Sequence, residues 1–349
     1  MSAARRPVQA PPSREALLAL VDRFLRRKVV VIGDLVLDEY WVGRSSRISR
    51  EAPVLILEHE GDRHVPGGAA NAAMNVRALG GSALVVGRLG GDPAGIALAR
   101  ALRRNGLPTT WVFRDKGGGT IVKTRVLAGS SHAARQQIVR LDRGRLEPLS
   151  RGAERALTSA ARTATRRADA VLLSDYGYGV LSPRLRRAAL ANARRAEVPV
   201  VVDSRYALTS YRGATLLTPN EHEVAEAMHL TSLRPSALKR AGESLVNGGG
   251  VKSVWITRGS DGMMLFTRGI RPVGLSIVGS SDVADVTGAG DAVSATAALA
   301  LAAGATQLEA AMLATYAASV VVMKRGTATV SREELRSAIR AQAAPRISA

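Results

Sequence analysis

The sequence predicts an α/β protein with a mostly parallel central sheet covered by helices. Short apolar runs rich in β-branched residues alternate along the chain with amphipathic or alanine-rich helical stretches, which is the pattern of a doubly wound sheet. Polar or acidic residues follow most of these runs at once, and ligands of open α/β sheets collect beyond the carboxyl ends of the strands. A chain of 349 residues with 46% hydrophobic content is long enough to bury one large core of this kind.

The composition limits the classes of protein to consider. The chain has no Cys, which excludes disulfides and thiolate metal sites. No stretch is long and apolar enough to span a membrane, and 1–13 is expected to be a disordered tail, so we expect a cytoplasmic protein without a membrane partner. The formal net charge of +20 would suit a nucleic-acid partner. A nucleic-acid partner is nevertheless a poor explanation for this charge, because the arginines are scattered along the chain and the aromatic content is only 3%.

The first predicted elements lead to a pair of acids. Apolar residues from Leu17 to Leu25 recur at helical spacing, and the fully apolar run 29–32 follows as a buried strand. Asp34 and Asp38 come after this strand, at the edge of the sheet where ligands collect, so they are candidates for binding hydroxyl groups. The alternative is that both acids belong to an ordinary solvated turn.

A glycine-rich segment begins the second predicted helix. Gly67 and Gly68 have no side chains, so another molecule can approach their backbone closely, and Asn71 can form a hydrogen bond to a hydroxyl group. Two segments near this helix in the chain, about 39–66 and 109–141, contain short strand-like pieces and no clear amphipathic helix. They are expected to form a small β lid beside the main sheet.

The second lid segment carries basic residues at alternate positions. Lys123, Arg125 and Arg140 lie between apolar residues, so one face of this ribbon would be basic. Such a face suits a phosphate group on the substrate. It also suits plain exposure to solvent, and the pattern leaves both interpretations open.

The alternation of strands and helices resumes after residue 150, and the strands again end in polar residues. Asp175 follows one strand, and Asn220 and Glu223 follow another, three positions apart at the start of a helix. Glu223 directly, and Asn220 through a water molecule, are candidates for holding Mg²⁺ near nucleotide phosphates. The alternative is that the two residues only cap the helix.

The segment 285–291 decides the functional interpretation. It leads into an alanine-rich helix whose N-terminal amides and dipole form an anion site, which Gly288 and Gly290 leave open to close approach. Asp291 would repel an anion there unless it accepts the proton of a nucleophile that attacks the anion. This arrangement predicts phosphoryl transfer, with Asp291 as the base and the amides of Gly288, Ala289 and Gly290 stabilising the developing charge. The alternative is that Asp291 only caps the helix.

Together these segments resemble the ribokinase-like (PfkB) sugar kinases, in order and across roughly residues 28–335. The segment 66–71 resembles the N-terminal signature of that family, Asn220 with Glu223 resembles its metal and phosphate motif, and 285–291 resembles its C-terminal signature. The resemblance implies a ribokinase-like three-layer sandwich over 14–335 with a short C-terminal tail at 336–349, and ATP and Mg²⁺ as cofactors. The substrate-binding candidates are then Asp34, Asp38, Gly67, Gly68, Asn71, Lys123, Arg125, Arg140 and Asp175, and the ATP-binding candidates are Asn220, Glu223, Thr257, Gly259, Gly262 and Lys324.

Within this family the sequence is most similar to the heptose 7-phosphate kinases of ADP-heptose synthesis. The similarity is carried by the segments 31–41, 46–54, 123–126, 174–177 and 326–330. It implies that ATP phosphorylates the anomeric hydroxyl of D-glycero-D-manno-heptose 7-phosphate. The chain departs from those kinases at Tyr178, where they usually carry Lys, and at Ser204 and Arg205, where they usually carry Pro and Lys.

Two other functions remain open at this point. A different sugar or a nucleoside is a possible acceptor on the same fold, and a regulator that binds sugar or nucleotide without catalysis would keep the same architecture. The intact Asp291 argues against the regulator. Exposed lid strands also need cover, so we expect a homodimer that pairs the lids.

Overall fold

The computed structural model describes residues 10–129, 135–144, 148–279 and 283–348. The helices are α1 (Arg14–Arg23), α2 (Ala69–Ala78), α3 (Pro93–Arg104), α4 (Arg151–Thr165), α5 (Pro183–Arg195), α6 (Glu221–Ala227), α7 (Pro235–Gly248), α8 (Ala289–Ala302), α9 (Gln307–Val321) and α10 (Arg332–Ala341). The strands are β1 (Lys28–Gly33), β2 (Leu35–Ile48), β3 (Leu55–Gly68), β4 (Ser82–Gly90), β5 (Trp111–Asp115), β6 (Ile121–Gly129), β7 (Gln136–Arg143), β8 (Ala170–Asp175), β9 (Val200–Ser204), β10 (Leu216–Leu217), β11 (Ser253–Thr257), β12 (Met263–Thr267), β13 (Val273–Leu275) and β14 (Ile347–Ser348).

The main sheet has ten described strands in the order β14-β13-β12-β11-β10-β9-β8-β1-β4-β5. The seven strands from β11 to β5 are parallel to one another, and β12, β13 and β14 extend the sheet in antiparallel fashion. Because the parallel strands run the same way, their carboxyl ends meet at one edge of the sheet. This edge is where the sequence places its polar candidates.

Two hydrophobic cores lie on opposite faces of the main sheet. Alternate residues of β1 belong to different cores, with Val29 and Val31 in one and Val30 and Ile32 in the other. Helices α2, α8 and α9 contribute to the first core, and α4, α5 and α7 contribute to the second. The result is a helix, sheet and helix sandwich, which confirms the predicted α/β fold class.

Most helices begin with a short polar side chain that caps the backbone. Ser13, Asp92, Ser150 and Ser182 each accept a hydrogen bond from the backbone N–H three residues further on. Helix α8 differs, because Gly288 precedes it and no described side chain caps it. Its N-terminal amides therefore remain open to a ligand.

A second sheet, with its described strands in the order β3-β2-β6-β7, forms the lid. β2 is antiparallel to β3 and parallel to β6, and β6 is antiparallel to β7. The register places Lys123 opposite Asp38 across one pair of strands, and Arg125 opposite Arg140 across the next. Since successive side chains on a strand point to opposite faces, these residues share one face of the lid.

The other face of the lid is partly apolar and exposed. Trp41 lies opposite Val126, and Val126 lies opposite Val139. Trp41, Val139 and Leu141 are 39%, 44% and 48% exposed. The predicted alternation of basic and apolar residues is therefore present in the lid, with the apolar side turned to solvent.

The bounds of the lid and of the C-terminal region differ from the expected ones. β5 joins the edge of the main sheet beside β4, so the second lid segment contributes only β6 and β7. Helix α10 continues to Ala341 with Ala338 and Ile339 buried, and β14 pairs with β13, so 336–348 packs against the main body and is not a tail. The reason is the amphipathic pattern of α10, which needs a partner surface.

Two expectations concern the chain as a whole. Most of the tail expected at 1–13 lies outside the described residues, and its last residue, Ser13, caps α1. Of the helices in the described ranges, none combines the length and the apolar character that a membrane crossing requires.

Candidate active site

The candidate active site is a cavity at the carboxyl ends of β8, β9 and β10, with a volume of ≈ 380 Å³. The N-terminus of α8 lines one side of it, and the basic face of the lid lines another. An apolar cavity of ≈ 220 Å³ lies next to it, lined by the turn 259–262 and by helices α8 and α9. The two cavities share Thr257, Val286 and Gly290, so they form one continuous cleft.

Asp291 lies in the first turn of α8 and is only 4% exposed. Asn71 donates a hydrogen bond from Nδ2 to Oδ2 of Asp291 at 2.7 Å, and the hydroxyl of Tyr176 donates to Oδ1 at 2.9 Å. Burial raises the pKa of Asp291 to about 6, while the two hydrogen bonds act in the opposite direction. Gly288 occupies the N-cap position, so Asp291 does not cap the helix. Its carboxylate is instead held at the cavity wall in the range of pKa that suits a base.

The loop before α8 is held in an unusual shape. Gly288 has φ +83°, and a Cβ built there would come within 2.8 Å of Nδ2 of Asn71. Oδ1 of Asp285 accepts hydrogen bonds from the backbone and hydroxyl of Thr287, at 2.9 and 2.7 Å. Oδ2 of Asp285 accepts one from the backbone N–H of Gly326 at 2.9 Å. Asp285 therefore ties the anion-binding loop to the segment that follows α9.

Only two of the three residues whose amides are predicted to stabilise the transferred group line the main cavity. Gly288 and Gly290 line it. Ala289 lines the apolar cavity, and its N–H donates to the carbonyl of Val286 at 3.2 Å. Gly288 and Gly290 thus remain candidates for anion ligands, and Ala289 lies against the apolar cavity.

Asp38 is the predicted hydroxyl-binding acid that lines the cavity together with Gly68. Its Oδ1 accepts a hydrogen bond from Arg125 at 2.6 Å, and its Oδ2 accepts one from the hydroxyl of Thr327 at 2.5 Å. Gly67 packs against it, since a Cβ at Gly67 would lie 2.4 Å from Oδ2 of Asp38. Gly67 is therefore required for the fit of Asp38 and does not itself line the cavity.

Lid strand β2 also reaches the segment after α9. The hydroxyl of Tyr40 accepts a hydrogen bond from the backbone N–H of Thr327 at 2.7 Å. The guanidinium groups of Arg63 and Arg125 lie over the Tyr40 ring, 4.8 and 5.5 Å from its centroid. Thr327 thus joins the lid to the same loop that Asp285 holds.

Asp34 does not line the cavity as predicted for a substrate ligand. It is 1% exposed, and its oxygens accept the backbone N–H groups of Tyr176, Tyr178 and Val180 at 2.9 to 3.1 Å. Burial raises its pKa to about 6. The structure therefore corrects the assignment of Asp34. This acid holds the loop after β8 in place through hydrogen bonds to its backbone, and its burial keeps a ligand from reaching it.

Asp175 and Asn71 also have internal partners. Asp175 lines the cavity, but it accepts hydrogen bonds from the hydroxyls of Tyr211 and Ser204 at 2.5 and 3.1 Å. The amide of Asn71 is directed at Asp291, and Asn71 does not line the cavity. Both residues act mainly by holding other groups of the site in place.

Lys123, Arg125 and Arg140 all line the cavity from the lid. Lys123 lies 3.5 Å from Asp142, and Arg140 contacts the same carboxylate at 2.9 Å. Arg125 and Arg140 occupy directly opposite positions on neighbouring strands. Like charges so placed repel one another unless an anion lies between them. Lys123 and Arg125 are buried at the cavity, whereas the Arg140 side chain is 49% exposed, so the basic face is only partly shielded from bulk solvent.

Asn220 and Glu223 form a capping box at the start of α6. The side chain of Asn220 accepts from the N–H of Glu223, and Glu223 accepts from the N–H of Asn220, both at 2.9 Å. The capping alternative is thus correct as to their local structure. Both residues also line the cavity, so the cap orients them toward a ligand as well.

A second carboxylate stands beside Glu223. Enclosure in the cavity wall raises the pKa of Asp203 well above its ordinary value, and the charges of Glu223 and Asp291 add to this effect. Enclosure likewise raises the pKa of Glu223. No cluster of three metal-ligating side chains occurs in the ranges that the structure describes. Two acids that need a counter-charge fit Mg²⁺, which usually keeps waters and phosphate oxygens as its other ligands.

The nucleotide-binding candidates divide into two groups. Thr257 lines both cavities, and Gly259 and Gly262 line the apolar one. A Cβ at Gly262 would lie 2.0 Å from the carbonyl oxygen of Leu275, so only glycine fits. Lys324 lines neither cavity, because its Nζ donates to the carbonyl of Thr329 and pairs with Glu334, both at 2.7 Å. The assignment of Lys324 to ATP is therefore not supported by the structure.

Seven cavity residues were absent from the sequence-based site: Tyr176, Asp203, Arg205, Thr218, Val286, Thr287 and Thr327. Asp203 could have been identified from the sequence, since it is an acid at the carboxyl end of a predicted strand. Tyr176 and Arg205 lie in segments already singled out for their similarity or departure from known kinases. Thr327 also lies in such a segment, 326–330, but nothing local indicates that it binds Asp38, which is 289 positions away.

Comparison with known proteins places the chain in a family. The family described as pfkB family carbohydrate kinase matches residues 26–334. The chain is 42% identical over 318 residues to the Bifunctional protein HldE of Gluconobacter oxydans, covering 90% of this chain and 65% of that protein. It is 43% identical over 307 residues to the protein of that name from Geobacter metallireducens, covering 88% of this chain and 61% of that protein. The chain thus spans less than two thirds of the length of these curated relatives.

Solved structures show the same architecture. Arabidopsis thaliana ribokinase complexed with ribose and ATP superposes with a TM-score of 0.69 at 23% identity, over 90% of this chain and 99% of that one. Phosphofructokinase-2 from Escherichia coli in complex with potassium gives a TM-score of 0.71 at 19% identity, over 90% of this chain and 98% of that one. These identities establish a shared fold, which confirms the ribokinase-like architecture. With the family match along almost its whole length, the chain belongs to the pfkB family of carbohydrate kinases.

Proposed function

We propose that this kinase transfers the γ-phosphoryl group of ATP to the anomeric hydroxyl of D-glycero-D-manno-heptose 7-phosphate. One observation carries the proposal: a single cavity combines the base and anion site at the start of α8 with three cations on the lid. The first set serves phosphoryl transfer to a hydroxyl, and the second serves a phosphate that the acceptor already carries. The similarity of the motif segments to heptose 7-phosphate kinases supports this choice of sugar.

Asp291 acts as the general base. Its carboxylate accepts the proton of the attacking hydroxyl while the new bond between that oxygen and phosphorus forms. Asn71 and Tyr176 each hold one carboxylate oxygen, so the side chain cannot turn away from the acceptor. The open amides of Gly288 and Gly290 stabilise the charge on the transferred group.

Glu223, with Asp203 beside it and Asn220 through water, would hold Mg²⁺ at the nucleotide phosphates. The ion supplies charge neutralisation between phosphate oxygens when it is bound. The capping box fixes Asn220 and Glu223 relative to the start of α6, so both are oriented before a ligand arrives. The apolar cavity between the turn 259–262 and helices α8 and α9 would receive the base of the nucleotide.

The lid would hold the acceptor. Asp38 offers carboxylate oxygens to its hydroxyl groups, and Lys123, Arg125 and Arg140 surround its phosphate. An anion between Arg125 and Arg140 would relieve the repulsion of two opposed cations. The lid also limits the access of water, which would otherwise compete with the sugar for the γ-phosphoryl group.

The apolar face of the lid would pair with that of a second copy. Trp41, Val139 and Leu141 are exposed on a sheet face whose opposite side lines the cavity. Such a face is costly to leave in water, and a two-fold pairing of lids would cover it in both copies. The mass of the particle in solution tests this proposal, and a dimer is the expected result.

The function is tested by ADP release from ATP and Mg²⁺ against a panel of sugars, sugar phosphates and nucleosides that includes heptose 7-phosphate. We expect the largest kcat/KM with heptose 7-phosphate and a much smaller one with the unphosphorylated heptose. A preference for another acceptor would reject the sugar but keep the kinase. ADP release that no acceptor stimulates, together with a salt-dependent shift of DNA, would favour the regulator.

The role of Asp291 is tested in the same assay with Asp291→Asn. General bases commonly contribute about 10²-fold or more, so the variant should retain about 1% of the wild-type rate or less while still binding ATP. Asp22→Asn on α1, which does not line the cavity, is the matched control and should turn over normally. A rate above about a tenth of wild type in Asp291→Asn would refute the base assignment.

A further inference from the structure

Among the described residues, Arg205 is the cavity cation that forms no ion pair, although Asp203 and Glu223 lie near enough to interact with its charge. It follows β9, and its guanidinium lies 4.5 Å from the centroid of the Tyr176 ring. In 10–129, 135–144, 148–279 and 283–348, its side chain makes no hydrogen bond and no ion pair. Stacking on an aromatic face holds a guanidinium in place and leaves its five N–H donors available.

Each of the other cations of the cavity has a carboxylate neighbour on the lid. Arg125 pairs with Asp38 at 2.6 Å, and Lys123 and Arg140 share Asp142 at 3.5 and 2.9 Å. All three belong to the lid. Arg205 comes from the main body of the fold, at the edge of the sheet that also holds Asn220 and Glu223. The cavity therefore has two separate sources of positive charge, one on the lid and one on the body.

The position of Arg205 is coupled to that of the base. The ring of Tyr176 supports the guanidinium, while the hydroxyl of the same residue donates to Asp291 at 2.9 Å. Gly290 lines the same cavity, and a Cβ built at this residue would lie 3.9 Å from Oδ2 of Asp203, two residues before Arg205. One tyrosine thus sets the distance between a cation and the carboxylate that accepts the proton.

The charges around this point explain why a cation is needed. Asp203, Glu223 and Asp291 all face the cavity, and without a nearby positive charge they would repel an incoming phosphate. Mg²⁺ held near Glu223 would offset part of this repulsion. An arginine with free donors on another side can contact phosphoryl oxygens directly, because its planar fork matches their geometry.

We propose that Arg205 is a catalytic residue that contacts the transferred phosphoryl group. As the bond from the γ-phosphorus to the bridging oxygen of ADP breaks and the bond to the sugar oxygen forms, Asp291 receives the hydroxyl proton. Arg205 keeps its own protons and donates hydrogen bonds to the oxygens of the phosphoryl group in flight. This inference rests on phosphoryl transfer at the proposed site and is independent of which sugar accepts the group.

The test compares Arg205→Gln and Arg205→Lys with the matched control Arg194→Gln, an exposed arginine of α5 outside the cavity. The glutamine variant should lose about 10²-fold or more in kcat with the KM for the acceptor nearly unchanged. The lysine variant should keep a point charge and recover part of the rate. The control should behave as wild type in every measurement, and thermal melting should show all three variants folded.

Binding of a transition-state mimic separates this role from a structural one. We expect wild type to bind ADP more tightly in the presence of aluminium fluoride and the acceptor, and Arg205→Gln to lose that gain while binding ADP alone normally. A glutamine variant with an unchanged kcat and a raised KM for the sugar phosphate would overturn the proposal, since Arg205 would then serve the acceptor.

A failure of the proposed function itself would look different. Wild-type protein would then release no ADP with any acceptor in the panel. The contact with the terminal phosphate is still measurable in that case, from the affinity for the β,γ-imido analogue of ATP relative to ADP. Wild type should prefer the analogue more than Arg205→Gln does, and equal preferences would overturn the inference.

Discussion

Removing one hydroxyl group tests how Asp291 is kept ionised. Tyr176→Phe deletes the hydrogen bond to Oδ1 of Asp291, 2.9 Å long, and keeps the aromatic ring beneath Arg205. Burial raises the pKa of Asp291 to about 6, against the hydrogen bonds from Asn71 and Tyr176 and the charge of Arg205. The charge of Asp38 acts in the same direction as burial. Losing one stabilising hydrogen bond must therefore raise the pKa of Asp291 further.

The size of the effect follows from the charge on the acceptor. A hydrogen bond to a charged group contributes about 1.5–3 kcal/mol, and 1.36 kcal/mol corresponds to one pKa unit. The pKa of Asp291 should thus rise by about one to two units, from about 6 to about 7–8. Because only the ionised carboxylate accepts a proton, the rate at pH 6 should fall about 5- to 50-fold, with little loss above pH 9.

The assay is kcat/KM for the acceptor between about pH 5 and pH 10, since this parameter reports the ionisation of the free enzyme. The acid limb of the profile should lie near pH 6 in wild type and at a higher pH in Tyr176→Phe. Tyr316→Phe, which removes a hydroxyl bonded to the carbonyl of Ala343 in another part of the fold, should leave the limb unchanged. A uniform loss of rate without movement of the limb would refute the reasoning.

Two further predictions concern the anion loop and the lid. Gly288→Ala should lower kcat more than tenfold, because the new Cβ would lie 2.8 Å from the Asn71 amide at φ +83°; Gly213→Ala, with φ +92° and nothing within 4 Å, should lose similar stability in urea but keep its kcat. Val139→Glu with Leu141→Glu should convert the proposed dimer to a monomer in light scattering, and a particle of unchanged mass would exclude the lid as the interface.

The architecture was predictable because its signals are local. The apolar run 29–32 shows by itself that a strand is buried on both faces, and the structure distributes its residues between two cores. The glycines at 288 and 290 likewise indicate a close approach before a helix. A pattern confined to a few neighbouring residues can be interpreted without knowing how the rest of the chain folds.

Individual side-chain roles were harder to predict because their partners are distant in sequence. Asp34 resembles a ligand-binding acid at a strand end, but backbone amides more than 140 positions further on surround it. Asn71 resembles a hydroxyl binder, but its amide is bonded to Asp291, 220 positions away. Lys324 carries a charge suited to phosphate, but its ammonium group forms an ion pair with Glu334. The acids and cations of a site are visible in sequence, whereas the pairings among them depend on the tertiary fold.

The bounds of the lid illustrate the same limit. The strand at 111–115 has a pattern that fits either sheet, and its assignment depends on which neighbour offers a free edge. β4 provides that edge in the main sheet. The presence of a strand at 111–115 was therefore predictable from the sequence, but the sheet that it joins was not.

The hydrogen bond between Thr327 and Tyr40 has a consequence for synthesis of the protein. The two residues are 287 positions apart, so a growing polypeptide must have been synthesised beyond Thr327 before they can meet. Asp38 depends on the same threonine. The acid on the lid and the loop after α9 therefore take up their final arrangement only through contacts between residues far apart in sequence, which are formed late in folding.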